Sequence, residues 1–278
     1  MPFELETYLA RIAYQGPREP GLTALHALTR AHVETIPFET IDVLLGRPIE
    51  LAPAAVFDKL VRQQRGGYCF EHNGLFLQAL AAFGFQVRPL GARVRLRTPD
   101  RSTVPARTHL FIEVQLDGEP WLTDVGFGGF SLTAALRWQA DIEQVTPHDR
   151  RRLVKTEGER EGAERWFHQV WQDDSWLDVT EFGGENMPFA DQQVANWYTS
   201  THPASSFMGS LMVARALPDG GRLALLGDEL RHRLPDGRLH IRHIDAQDLP
   251  AVLAEHFGIR WPAGVEAAQL LAQPPAVG

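Results

Sequence analysis

The chain's only cysteine, Cys69, stands in the run Arg65-Gly66-Gly67-Tyr68-Cys69-Phe70-Glu71-His72-Asn73. A single cysteine is ordinarily a small buried side chain of no reactivity. Here two glycines give it a tight approach, polar residues flank it, and a helix is predicted to begin at it. A thiol in the first turn of a helix feels the partial positive charge of unpaired N–H groups, which favours the nucleophilic thiolate. A cysteine nucleophile needs a histidine to handle its proton and a third group to orient that histidine.

His109 opens an alternating stretch, Leu110, Ile112, Val114 and Leu116, that reads as a strand. Asp117-Gly118 reads as a hairpin turn. The next strand is expected over Pro120 to Val125 and carries Asp124 near its end. If the two strands pair through that turn, His109 and Asp124 are cross-strand neighbours. Taken singly, each has an ordinary alternative, a satisfied sheet histidine and a strand-end carboxylate. Gly126-Phe127-Gly128-Gly129-Phe130 follows at once, and such a run lets backbone approach a ligand or offers successive N–H groups to a diphosphate. Gly126, Gly128 and Gly129 are the candidate cofactor-binding positions. It is not a dinucleotide fingerprint, because no strand–helix unit with a later acidic residue follows.

These residues must be positioned by larger elements. Leu5, Tyr8, Leu9 and Ile12 recur at helical spacing, as do Leu22, Leu25, Leu28 and His32. Further helices are expected over Ala54 to Leu60, entered after Pro53, and over Cys69 to Phe83, closed by Gly84. Strands are expected over Gln86 to Arg97, Trp166 to Trp171 and Trp176 to Val179, then over Ser210 to Ala216, Arg222 to Leu226 and Arg238 to Ile244. Arg150-Arg151-Arg152 reads as a solvated loop. Ala251 to Phe257 and Val265 to Leu271 read as short helices, and the Gln273-Pro-Pro tail as loose. The class is α+β in three consecutive parts: a helical domain over 1–85 with the nucleophile, an antiparallel β-barrel over 86–195 with His109 and Asp124, and an α/β lid over 196–278.

The chain has 278 residues and a formal net charge of -8. That charge argues against a nucleic-acid partner, which calls for a basic face. Met1 to Ala10 contains Glu4 and Glu6 and no apolar core of a signal peptide. No apolar stretch reaches the ~20 residues of a membrane span, and a lone cysteine suits a reducing compartment. The cytoplasm is the expected location. His232, His240 and His243 do not form a metal-ligand pattern, since His240 and His243 face opposite sides of a strand; no metal is expected. The tryptophans, Trp166, Trp171 and Trp176 among them, read as core.

The sequence resembles the arylamine N-acetyltransferases over most of its length. The matching segments are Tyr8-Leu9-Ala10-Arg11-Ile12 with Gly16, Ile36-Pro37-Phe38-Glu39, the block Arg65 to Glu71 with Asn73, His109, Asp124 to Gly128, and Asn196-Trp197-Tyr198 through Ser205-Ser206-Phe207. Thr40 departs from the family's usual Asn after Pro-Phe-Glu, for which a local packing effect is expected. The resemblance implies a ping-pong enzyme with acetyl-CoA as co-substrate. Cys69, His109 and Asp124 would be the triad, and the acceptor an arylamine, arylhydrazine or N-arylhydroxylamine. It further suggests Phe38, Phe127 and Phe207 as the acceptor pocket, the Cys69 N–H as an oxyanion donor, and a Glu39–Arg65 pair beneath the loop. Such a protein is a monomer or homodimer. Two other readings stay open on the residues: a cysteine hydrolase or transglutaminase-like enzyme using the same triad on water or lysine, and a non-catalytic protein retaining the fold.

Overall fold

The computed structural model describes residues 2–96, 98–157 and 164–271, and the expected Gln273-Pro-Pro tail lies outside them. The chain opens with helices α1 (Leu5–Arg11), α2 (Leu22–Thr35), α3 (Ile41–Leu44), α4 (Pro53–Phe57) and α5 (Cys69–Phe83), with a two-residue strand β1 (Phe38–Glu39) between α2 and α3. The apolar faces read from sequence point inward. Tyr8, Leu25, Leu28, Phe76 and Leu80 are each at most 1% exposed and form one core. Pro53 starts α4, which runs into a π-helical turn over Asp58–Arg62. Gly84, in the left-handed region at φ 111°, ends α5 while its N–H reaches back to Leu80 and Ala81.

Eight strands follow: β2 (Gln86–Val94), β3 (His109–Leu116), β4 (Glu119–Thr123), β5 (Leu136–Arg137), β6 (Gln144–Val145), β7 (Arg150–Glu157), β8 (Glu164–Gln172) and β9 (Ser175–Phe182). They form one antiparallel sheet in the order β5-β4-β3-β2-β9-β8-β7-β6. Its two short edges meet where the Gln144 side chain bonds the Arg137 N–H and carbonyl, at 2.7 and 3.0 Å, so the barrel is nearly closed. β3 is buried on both faces. Leu110, Ile112 and Val114 face the helices, while Phe111 faces the barrel interior with Leu122 and Phe182.

The remainder comprises α6 (Phe189–Thr201), β10 (Met212–Ala216), β11 (Arg222–Leu226), β12 (Glu229–Arg233), β13 (Leu239–His243), α7 (Leu249–Phe257) and α8 (Ala267–Leu271). Its sheet runs β1-β10-β11-β12-β13, with α7 and α8 packed on it through Leu249, Leu253, Phe257 and Leu270. The architecture is α+β: helical bundle, antiparallel barrel, α/β lid. Position 195 falls inside α6, so that helix bridges the expected second and third segments. β1 pairs with β10, tying the lid's sheet to the loop before Cys69.

Two local expectations change. Arg150 to Arg152 is not a solvated loop but the start of β7, with Arg151 0% exposed. Its guanidinium is held at Asp149, which removes the usual cost of an unpaired buried charge. β12 was not anticipated, because its five residues, Glu-Leu-Arg-His-Arg, carry a single apolar side chain.

Candidate active site

Cys69 is the first residue of α5 and is 3% exposed. Neither glycine before it has a left-handed backbone; both are needed for room. A Cβ on Gly66 would lie 2.2 Å from the Pro37 carbonyl oxygen, and one on Gly67 would lie 2.6 Å from Glu71 Oε2. Glu71 accepts the Tyr68 N–H at 3.0 Å and takes Lys59 at 2.7 Å, fixing the entry to the helix. Burial alone would lower Lys59, but Glu71, Glu39 and Asp42 hold it above its usual range. The expected Arg65–Glu39 pair is present at 2.9 Å, and Arg65 also meets Asp42 at 3.0 Å. The Cys69 N–H is one of the first-turn donors that a helix cannot satisfy internally.

His109 Nε2 lies 2.6 Å from Asp124 Oδ2. The route to that contact differs from the cross-strand pairing expected. The ladder pairs Ile112 with Thr123 and Leu116 with Glu119. Asp117 and Gly118 both have positive φ, 52° and 79°, the signature of a two-residue type I′ turn. Continued past Ile112, that register sets His109 opposite Gly126. Asp124 sits diagonally, just beyond the last paired residue, and both side chains bend to meet.

Asp124 is 4% exposed and accepts three donors: His109, Asn73 Nδ2 at 2.9 Å and the Gly126 N–H at 3.0 Å. Burial would raise its carboxyl, but His109 and these donors hold it below the usual range. For His109 burial acts first, to lower it; Asp124 and then the neighbouring Cys69 sulfur outweigh burial and raise it to about 10. The imidazole is therefore cationic at neutral pH, with Nε2 on Asp124 and Nδ1 left for the thiol. Such an arrangement can activate a sulfur nucleophile and return the proton to a leaving group.

Asn73 was missed as a functional residue. Its amide donates to the Leu110 carbonyl at 2.6 Å and to Asp124, while its oxygen accepts the Val125 N–H at 3.0 Å. One side chain thus ties α5, which begins at Cys69, to the strands carrying His109 and Asp124. A buried chain beside it was missed too: Tyr8 OH to His32 Nδ1 at 2.8 Å, His32 Nε2 to His72 Nδ1 at 2.9 Å, and His72 Nε2 to the Pro37 carbonyl at 3.1 Å. That carbonyl only accepts, so each link donates in one direction. The available signal was spacing: residues 72 and 73 follow Cys69 by three and four, on the same helix face.

A cavity of about 1230 Å³ is lined by Cys69, His109, Phe38, Phe127, Phe207, Gly126, Gly128 and Gly129. Asp124 is not at its wall but behind His109. The Phe127 ring stands edge-on to His109 at 5.1 Å, and Phe207 lies 5.9 Å from Phe38 and 5.7 Å from Tyr68. Gly126 is there for proximity: a Cβ would fall 2.8 Å from the Cys69 Cα. Its N–H is committed to Asp124 and so is not offered to a ligand. Thr40 accepts the Met212 N–H at 3.1 Å through its hydroxyl, extending the β1–β10 pairing, a local packing role away from the triad. No group of three or more His, Cys, Asp or Glu with metal-binding geometry occurs among the described residues. No helix among them is long and apolar enough to cross a membrane.

Residues 21–264 match the family model described as N-acetyltransferase. An arylamine N-acetyltransferase of Mycobacterium tuberculosis (strain H37Rv) is 39% identical over 262 residues, 93% of this chain and 90% of that protein. An arylamine N-acetyltransferase of Escherichia coli (strain K12) is 40% identical over 256 residues, covering 92% and 88%. The solved structure of the Mycobacterium marinum arylamine N-acetyltransferase in complex with CoA superposes with a TM-score of 0.87 at 37% identity, covering 96% of this chain and 97% of that one.

Proposed function

The chain belongs to the arylamine N-acetyltransferase family, and we propose that Cys69, His109 and Asp124 carry its acetyl transfer in two steps. It is an acyltransferase with acetyl-CoA as co-substrate. The observation that supports the residue roles is the 2.6 Å His109–Asp124 contact beside Cys69, at the wall of a cavity that takes an acyl donor and an aromatic acceptor in turn.

In the first step the Cys69 sulfur attacks the acetyl carbonyl. A new S–C bond forms on Cys69, the thioester bond of acetyl-CoA breaks, and His109 gives its proton to the departing sulfur. We assign the Cys69 N–H as the oxyanion donor. In the second step neutral His109 takes a proton from the attacking amine. The N–C bond forms and the Cys69 S–C bond breaks, restoring the starting pair. Asp124 keeps Nε2 occupied throughout, so Nδ1 does the proton work.

We assign Phe38, Phe127 and Phe207 to the acceptor pocket, for an arylamine, arylhydrazine or N-arylhydroxylamine. Gly128 and Gly129 flank the path of the acyl donor; Gly126 seats Cys69 instead. One chain supplies Cys69, His109, Asp124 and the three phenylalanines, and the protein is read as a monomer or homodimer. A reducing cytoplasm suits its lone thiol. Initial rates over a grid of acetyl-CoA and arylamine concentrations test the scheme. Parallel double-reciprocal lines are expected; intersecting lines contradict it.

A further inference from the structure

Asp149 lies just ahead of β7 and receives Arg151 Nε and Nη2 at 2.6 and 2.7 Å and Arg222 Nη2 at 2.8 Å. The two arginines come from different sheets, Arg151 from β7 of the barrel and Arg222 from β11 of the lid. Arg151 Nη1 donates to His168 Nε2 at 3.2 Å, and three further bonds converge on one turn. Arg222 Nη1 bonds the Gly129 carbonyl at 3.2 Å, Arg151 Nη2 the Phe130 carbonyl at 3.1 Å, and Arg222 Nη2 the Ser131 carbonyl at 3.0 Å. Three consecutive carbonyls of the turn that follows Asp124 are thereby held by two guanidinium groups locked on one carboxylate.

Burying such charges is costly and by itself is weak evidence for stability. What a planar, five-donor fork supplies better than any other side chain is direction. The turn needs direction from outside, because Gly128, at φ 75°, and Gly129 have little conformational preference of their own. The same turn carries Phe127, whose ring rests against His109.

We propose that Asp149, Arg151 and Arg222 are positioning residues for the reaction: a clamp through which seating of the lid strand β11 fixes the Gly128–Ser131 turn and the acceptor side of the site. The proposal rests on the reading of Cys69, His109 and Phe127 given above. It is tested with Arg222→Lys and Arg222→Gln. Lysine keeps the charge yet lacks the fork, so both variants are expected to raise the KM for an arylamine on the order of tenfold. Both are also expected to speed amide deuterium exchange across residues 126–132. At saturating acetyl-CoA the rate of thioester formation on Cys69 is expected to stay within about threefold of wild type, since the clamp touches neither Cys69 nor His109, although Gly128 and Gly129 also border the donor's path. Wild-type KM and exchange in Arg222→Lys, or a lower melting temperature alone, overturn the proposal, as does loss of thioester formation. Should the single variants fold poorly, Asp149→Asn with Arg222→Gln removes one charge of each sign, and the exchange readout is taken on the folded fraction. Failure of wild-type protein to form the thioester would instead refute the underlying reading.

Discussion

Replacing Asp124 by asparagine keeps the shape of the site and removes one charge. The retained oxygen still accepts from Asn73 and Gly126, but an amide N–H2 now faces His109 Nε2, itself a donor in the native site. To accept from that amide the imidazole must give up its Nε2 hydrogen and its charge, so its one hydrogen sits on Nδ1, toward Cys69, where a proton acceptor is needed. The electrostatic loss points the same way. Asp124 is the largest influence in the lift of His109 from 6.5 to about 10, and without it burial is opposed by the Cys69 sulfur alone. That span corresponds to ~5 kcal/mol of preference for the imidazolium. Since Cys69 is the chain's one cysteine, its reactivity is read cleanly from the rate of iodoacetamide addition followed by intact mass. At pH 7 the Asp124→Asn rate is expected to fall on the order of 10^3-fold, with the melting temperature recorded alongside. Alkylation within about threefold of wild type, in a folded variant, would refute the assignment of Asp124 as the group that charges and orients His109.

Other consequences are measurable with the same protein. Gly126→Ala puts a methyl 2.8 Å from the Cys69 Cα and 2.9 Å from its carbonyl oxygen. It is expected to lower kcat/KM by roughly 100-fold through displacement of the thiol, and wild-type kinetics would contradict this. Phe207→Ala removes the ring packed on Phe38 and Tyr68; steady-state kinetics should show an acceptor KM about tenfold higher and an unchanged KM for acetyl-CoA. Stability should carry the mark of the buried pair. His109 is raised above 6.5 in the folded state, so its contribution is complete below pH 6.5 and is withdrawn as pH climbs through about 10. Asp124 is lowered, so its contribution is present above its ordinary value and lost as pH falls through the folded one. In urea titrations the gap between wild type and His109→Gln should narrow by about 1.4 kcal/mol per pH unit between pH 6.5 and 10. A constant gap would deny the ion pair.

The surroundings of Cys69 were legible because their constraints are local. Glycines crowding a cysteine at a helix start and a Gly84 cap leave marks within a few residues. Five of the eight barrel strands, β2, β3, β4, β8 and β9, showed through alternation and turn residues; β5, β6 and β7 did not. The His109–Asp124 contact was foreseen, but by a register one diagonal step off, since the turn fixes the pairing and strand spacing alone does not. Arg151 defeated a reading by residue type: its charge belongs outside until Asp149 and the Phe130 carbonyl are known to await it. Asn73 and the Tyr8–His32–His72 chain act through partners distant in sequence, and only the fold brings those together.

The proposed reaction passes its acetyl group through Cys69. Intact mass of the purified protein after mixing with acetyl-CoA, wild type beside Cys69→Ser, tests this directly. One added acetyl is expected on wild type only, discharged when an arylamine such as an aminosalicylate is supplied. A folded wild-type protein with a free thiol and no adduct, or an equal adduct on Cys69→Ser, would contradict it.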